Sequence, residues 1–189
     1  MGGLKMKKMW HEISGNFSHG EVELLQRLTE GKVVVEVGTF YGRSLAAIAE
    51  KAMLVYSVDT FRAHPNGQTQ MQYYTTLKET QENLRGYNNV TFLPGESDDI
   101  APTFDNESID TCFIDGFHYL EWIFKDAIFW YSKIKVGGIM AFHDAFIYPG
   151  VNEVCNKIFG RIDGQASSVI YAIKKGNELI TSGQYIFKV

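Results

Sequence analysis

Short apolar runs alternate with amphipathic stretches along the chain, and several of the runs stop abruptly at glycine or an acid. Val33–Val37, Leu54–Val58, Asn89–Leu93, Ile109–Ile114 and Ile139–Phe142 have the length and β-branched or aromatic content of strands. Ile109–Ile114 is nearly continuous in its apolar character, as expected of a central parallel strand covered on both faces. Leu45, Ile48, Ala49 and Ala52 recur at helical spacing after the first strand, and Tyr119–Ile134 reads as a longer helix, followed by Val136-Gly137-Gly138 and the strand Ile139–Phe142. A polar, turn-rich insert with Pro65-Asn66-Gly67 occupies 61–75, where ligand-covering lids and plain surface loops both occur, and a helix is expected near Tyr74–Arg85. Ahead of all this, Ser18-His19-Gly20-Glu21 has the form of a capping box, and Val22, Leu24, Leu25 and Leu28 form an apolar helical face ended by Gly31.

Five strand-to-helix units in this rhythm predict a doubly wound α/β sheet with right-handed crossovers. The last forty or so residues carry a weaker pattern. Pro149–Phe159 reads as a helix, Ser168–Lys174 as a strand, Phe159–Ile162 as its short antiparallel partner, and Gln184–Val189 as an edge strand or tail.

Composition narrows the classes. At 189 residues and 21.4 kDa the expectation is one domain, 1–189, with 1–30 as an N-terminal helical extension. An apolar content of 45% and an aromatic content of 14% exclude a disordered chain. A net charge of −4 and a pI near 5.7 argue against a nucleic-acid partner held by a broad positive field, and Lys5, Lys7 and Lys8 read as a solvated tail. Cys112 and Cys155 read as small buried hydrophobes in a reducing compartment. No apolar run reaches membrane-spanning length and Met1–Trp10 lacks a secretory apolar stretch, so no membrane partner and a cytoplasmic location are the defaults. The N-terminal helix and the apolar tail could form a subunit contact in a homo-oligomer.

The candidate chemistry gathers where the strands end. Glu36-Val37-Gly38-Thr39-Phe40-Tyr41-Gly42-Arg43-Ser44 links a strand to a helix, and Asp59 closes the next strand. Gly38 lets the backbone turn tightly, so that a ligand can lie near the following helix, and Asp59 is placed to accept ribose hydroxyls. Phe40 and Tyr41 stand where a dinucleotide fingerprint would keep glycine, which speaks against a pyrophosphate. Glu36, Gly38 and Gly42 could also simply end a buried strand and open a helix. Asp115 with His118, and His143 with Asp144, fall at the same sheet edge, where open α/β sheets bind ligands.

Asp115, His143 and Asp144 could hold a hard divalent cation such as Mg²⁺ or Mn²⁺, and His118 could take a proton near neutrality. The alternative is that His143 and Asp144 cap a loop and His118 caps a helix. In Glu96-Ser97-Asp98-Asp99, Glu96 or Ser97 can meet an adenine edge, or Ser97 can cap the helical turn that follows. A nucleophile elbow, a phosphate loop with lysine and a CxxC pair are absent from the sequence.

On the segments Val33–Ser44, Ser57-Val58-Asp59 and Ile109–Gly116, the chain resembles the class I S-adenosylmethionine-dependent methyltransferases. The blocks Ile114–Tyr119 and Val136–Asp144 look most like a small group that includes macrocin-type sugar O-methyltransferases. The resemblance spans roughly Gly31 to Val154 and implies a Rossmann-like, mostly parallel seven-stranded sheet with a C-terminal antiparallel hairpin. It implies S-adenosylmethionine as cofactor, with Glu36, Gly38 and Ser44 on its methionine side, Asp59 at its ribose, and Thr39 and Thr60 among its other contacts. It places Ser97 at the adenine, and Asp115 between cofactor and acceptor. Likeness to catechol-type O-methyltransferases implies metal ligands at Asp115, His143 and Asp144 and a base at His118. Two positions depart from that pattern: His143 stands where a carboxylate would be, and His118 where a lysine would be.

The activity implied is O-methylation of a small hydroxylated substrate. The remaining alternatives are a nicotinamide-dependent oxidoreductase and a non-catalytic nucleoside-binding or assembly protein of the same fold.

Overall fold

The computed structural model describes residues 7–61 and 77–176. Its strands are β1 (Val33–Val37), β2 (Leu54–Asp59), β3 (Val90–Pro94), β4 (Ile109–Ile114), β5 (Ile134–Phe142), β6 (Gly164–Ala166) and β7 (Val169–Ile173). Its α-helices are α1 (His19–Thr29), α2 (Arg43–Ala49), α3 (Leu77–Asn83), α4 (Ser97–Ile100), α5 (Leu120–Tyr131) and α6 (Pro149–Phe159). The seven strands form one sheet in the order β3-β2-β1-β4-β5-β7-β6. β1 to β5 pair in parallel, and β7 lies antiparallel to both β5 and β6. This is the doubly wound, Rossmann-like sheet with a C-terminal antiparallel hairpin that the pattern predicts.

Two apolar layers cover the sheet. On one face α1 and α2 bury Val22, Leu25, Leu28, Leu45 and Ile48 against Val34, Val55 and Phe113. On the other, α5 and α6 bury Ile123, Trp130, Val154 and Ile158 against Val35, Cys112, Met140 and Phe142. Each large side chain removed from water in this way stabilises the fold by roughly 1.5–3 kcal/mol. Cys112 and Cys155 are free and buried. Burial pushes the Cys112 thiol well up and the Cys155 thiol up to about 12, so both are inert.

Helix α1 begins at the expected capping box: the Ser18 amide donates to Glu21 Oε2 at 2.7 Å, and the Glu21 amide donates to Ser18 Oγ at 3.4 Å. Three boundaries differ from the sequence pattern. Helix α5 stops at Tyr131, and β5 already starts at Ile134, because the two glycines form a bulge in the strand. Between Ile109 and Thr111 on β4 the register with β5 slips from Ile134 to Ile139, and Gly137 supplies a left-handed φ of +83° within the slipped segment. The antiparallel partner of β7 is Gly164–Ala166, since α6 runs on to Phe159 and ends at Gly160 in the left-handed region. The insert at 62–76, the start of the helix expected near Tyr74 and the segment 184–189 lie outside the described residues. Among the described residues no helix is long and apolar enough to cross a membrane.

The parallel pairing fixes the position of every tip. Register Val37↔Val58 on one side of β1 and Val37↔Ile114 on the other brings Gly38, Asp59 and Asp115 to one edge. Gly38 is required there: at φ +85°, a Cβ would stand 2.4 Å from the Asp115 carbonyl oxygen and 2.5 Å from Gly116 Cα. The atoms met are all backbone of Asp115 and Gly116, which cannot swing aside as a side chain could. Gly38→Ala should therefore lower unfolding stability by more than about 2 kcal/mol. Gly31→Ala, at φ +69° with nothing within 4 Å, should lose only about 1 kcal/mol of left-handed strain. Urea unfolding of both variants checks this, and equal losses would refute the packing argument.

Candidate functional site

Asp59 sits between two loops and organises both. Its Oδ2 accepts the amides of Thr39 at 2.7 Å and Phe40 at 3.2 Å, and its Oδ1 accepts the amide of Phe61 at 2.7 Å. Phe40 and Phe61 have φ of +50° and +49°, a region in which a bulky side chain is strained by roughly 1–2 kcal/mol. The strain presents their N–H groups to the carboxylate. A carboxylate has about four acceptor positions, so three are used by the chain and one on Oδ1 is left for a ligand hydroxyl.

Glu36 lies on β1, two residues before Gly38. It is fully buried, and neither carboxyl oxygen has a hydrogen-bond partner among the described residues. The hydroxyls of Ser44 and Thr39 are near enough to moderate its charge but do not meet it in bonding geometry; Thr39 Oγ1 instead shares a 2.7 Å bond with Ser57 Oγ. Burial, reinforced by the charges of Asp115 and Asp59, raises its pKa well above the ordinary 4.5. A buried, unpartnered acid at the end of a strand is an expensive feature for a structural role alone. At Gly42, with φ +87°, a Cβ would meet Leu84 Cδ2 at 2.4 Å, so this glycine lets the start of α2 pack closely on Leu84.

On the β4 and β5 side of β1, five side chains meet: Glu21, Asp115, His118, His143 and Asp144. His143 is buried with Nδ1 2.9 Å from Asp115 Oδ1 and Nε2 3.6 Å from Glu21 Oε1, and its ring stacks on Phe17 with centroids 4.2 Å apart. Burial opposes protonation, but the neighbouring charge of Asp115, with Glu21 and Asp144 behind it, raises the pKa of His143 to about 10. Burial likewise opposes ionisation of Glu21, yet bonds from His143, Ser18 and Ser168 hold it down to about 2. His118 presents Nε2 3.1 Å from Asp144 Oδ2 and 3.7 Å from Asp115 Oδ1, without hydrogen-bond alignment to either. Its ring is stacked on Tyr148, with centroids 4.6 Å apart and planes nearly parallel. Burial opposes ionisation of Asp115, while His143 and His118 hold its pKa below the usual range.

The trio expected to bind a cation is thereby rearranged. Donor atoms of Asp115, His118 and Asp144 all lie within 4.8 Å of one another, whereas the two nitrogens of His143 face the carboxylates of Asp115 and Glu21.

On the nucleotide side, Ser97 is the first residue of α4, with Glu96 at the cap position and no side-chain capping bond. Its hydroxyl accepts the indole N–H of buried Trp130 at 2.8 Å, so it is turned toward the interior. Beside it Asp126, buried on α5, is pushed up to about 7 by burial and sits close under Gly116. Ser44 is buried and Thr60 half-buried at the exit of β2. Asp126 and Glu21 were not signalled by spacing: one is an acid within an apolar helix, the other the acid of a capping box.

Residues 35–145, more than half of the chain, match the family model described as methyltransferase domain. No curated protein matches the chain in sequence. Similar solved structures include the O-methyltransferase NovP, 17% identical with a TM-score of 0.67 over 82% of this chain and 79% of that one. An O-methyltransferase from Bacillus cereus, solved in complex with SAH, is 13% identical with a TM-score of 0.62 over 84% of this chain and 83% of that one. A SAM-dependent O-methyltransferase from Thermotoga maritima is 16% identical with a TM-score of 0.60 over 85% of this chain and 67% of that one. At these identities the structures speak for the fold, and the family match speaks for the lineage. With its strand-tip acids and its sheet order accounted for, the chain belongs to the methyltransferase-domain family and has the class I S-adenosylmethionine-dependent methyltransferase fold.

Proposed function

We propose that this protein transfers a methyl group from S-adenosylmethionine to a hydroxyl of a small acceptor. The observation that carries the reading is the junction at Gly38: the loop above Glu36 and Asp59 abuts the backbone of Asp115, so a ligand cradle and an acid–imidazole cluster share one wall. The residues fit the cofactor. Glu36, buried without a partner, suits the cationic amino-acid end, and the free acceptor position of Asp59 suits a ribose hydroxyl. Bound there, S-adenosylmethionine supplies a methyl group whose C–S bond gives way to an acceptor oxygen, with the electron pair left on sulfur.

The protein's share is alignment and proton handling. Positioning of the acceptor oxygen behind the methyl supplies much of the acceleration. His118 takes the hydroxyl proton, and Asp144 and Asp115 stabilise the imidazolium that results. Tyr148 holds the His118 ring flat, and with exposed Phe117, Tyr119, Phe146 and Ile147 it gives the acceptor an apolar wall.

A second reading is favoured by the convergence of three donor atoms at Asp115, His118 and Asp144. Two carboxylates and one imidazole suit Mn²⁺ or Mg²⁺, which would lower the pKa of the acceptor hydroxyl. The readings part on chelation. Release of S-adenosylhomocysteine in a screen of small hydroxylated acceptors should persist in EDTA; abolition by EDTA with recovery in Mn²⁺ would favour the cation.

Two further outcomes follow from the assigned roles. In calorimetric titration with S-adenosylmethionine, Asp59→Ala should weaken binding tenfold or more, because the loop loses its anchor. His118→Ala should bind within about twofold of wild type yet slow transfer by roughly 10²–10⁴. Equal loss of binding in both would sink the division of labour.

Glu36→Gln should weaken cofactor binding and stabilise the protein. Above pH 4.5 the unfolded chain ionises Glu36 while the folded chain keeps the proton. Rising pH therefore drains wild-type stability by up to about 1.4 kcal/mol per unit until the buried acid itself ionises, and glutamine is exempt. Urea midpoints at pH 5 and pH 7 should show the gap between variant and wild type widening; a constant gap would mean that Glu36 is charged in the fold.

A further inference from the structure

Glu21 lies upstream of the family-matched stretch, which begins at residue 35, yet it is buried at the inner end of the acid–imidazole cluster. A capping-box glutamate needs one oxygen near the helix start and normally keeps the other in water. Here Oε2 serves the cap, accepting the Ser18 amide and hydroxyl at 2.7 and 2.8 Å. Oε1 is turned inward, where it accepts the Ser168 amide at 2.8 Å and faces His143 Nε2 at 3.6 Å.

From His143 the contacts run on. Its Nδ1 meets Asp115 Oδ1 at 2.9 Å, and the nearest approach of His118 to Asp115, 3.7 Å, is to that same oxygen. Phe17 lies against the His143 ring, with planes 15° apart. An imidazole with a carboxylate at each nitrogen and an aromatic face against it has one orientation: turning the ring over would replace both nitrogens with carbons. The orientation of the ring in turn selects the rotamer of Asp115. The segment that carries Phe17 is itself tied to α2, since Arg43 donates to the carbonyls of Ile13 at 3.1 Å and Phe17 at 3.3 Å.

We propose that Glu21 is a positioning residue, acting through His143 to hold the Asp115 carboxylate in place against His118, so that the N-terminal helix sets the geometry of the proton-accepting cluster. This rests on the reading of that cluster as the acceptor side of the site. Glu21 touches neither cofactor nor acceptor in this account.

The test is a ring ¹⁵N–¹H correlation spectrum of the full chain labelled in histidine, at one pH, with peaks assigned through His118→Asn and His143→Asn. Glu21→Gln keeps an oxygen for the cap and removes the charge; Leu28→Ala loosens the far end of the same helix without touching Glu21. Glu21→Gln should shift the ring resonances of His143 and also of His118, which Glu21 does not contact, while Leu28→Ala leaves both in place. A shift confined to His143, or an equal His118 shift in Leu28→Ala, would overturn the proposal. Should Glu21→Gln fail to fold, Phe17→Leu removes the ring support instead; a shift at His118 is again expected, and its absence again overturns the proposal. Calorimetry of the wild type with S-adenosylmethionine separates the two levels: absence of binding would count against the reading of the site and leave the coupling result standing.

Discussion

The volume where a side chain would stand after Val37 is already taken by the backbone of Asp115 and Gly116. That close passage of two strand exits is the constraint on which the rest depends. The Asp115 amide donates to Val37 O at 2.8 Å and the Gly38 amide donates to Val58 O at 2.8 Å, so the tips of β1, β2 and β4 are locked to one another by backbone alone. Side chains at those tips have no freedom to drift apart. Three acids, Glu36, Asp59 and Asp115, are thus held around one glycine, each in a different environment.

The environments separate what the acids can do. Asp59 is already wired to its loops, Glu36 is buried without a partner and its pKa is raised, and Asp115 is held below the usual range by two imidazoles. Carboxyl groups pushed apart in this way are a physical sign of divided labour. The strain of Phe40 and Phe61 in the left-handed region belongs to the same arrangement, since it is their amides that fill Asp59. Asp144, at φ +59°, is strained in turn, and the amides of Ile147 and Tyr148 close onto its carbonyl. The loop that carries Tyr148 over His118 begins there.

Much of this was legible in the chain because the signals were local. Period and length gave β1, β2 and β4 closely, and the capping box of α1 and the full span of α6 could be read from neighbouring residues. Long-range packing hid the rest. Adjacent His143 and Asp144 looked like a ligand pair, but His143 is drawn in between Asp115 and Glu21 beneath α1, while Asp144, turned by its φ of +59°, meets His118 at 3.1 Å and stays 3.4 Å from His143. Glu21 could be seen as a cap, while its burial against a residue 122 positions later, as 143 minus 21, could not. Ser97 was found at the right edge, yet Trp130 and Asp126 decide which way it faces. The sequence pattern starts this strand only at Ile139, because two glycines read as a break, and only the register with β4 shows that they form a bulge inside a longer β5.

A crystal structure with S-adenosylhomocysteine bound would test the central claim most directly. The account predicts the nucleoside across the tips of β1 and β2, a ribose hydroxyl on Asp59 Oδ1, the amino group within hydrogen-bond reach of Glu36, and the sulfur facing the Asp115 side of the crevice. A ligand seated away from Gly38, with Glu36 still unpartnered and Asp59 bonded only to its own loops, would contradict it.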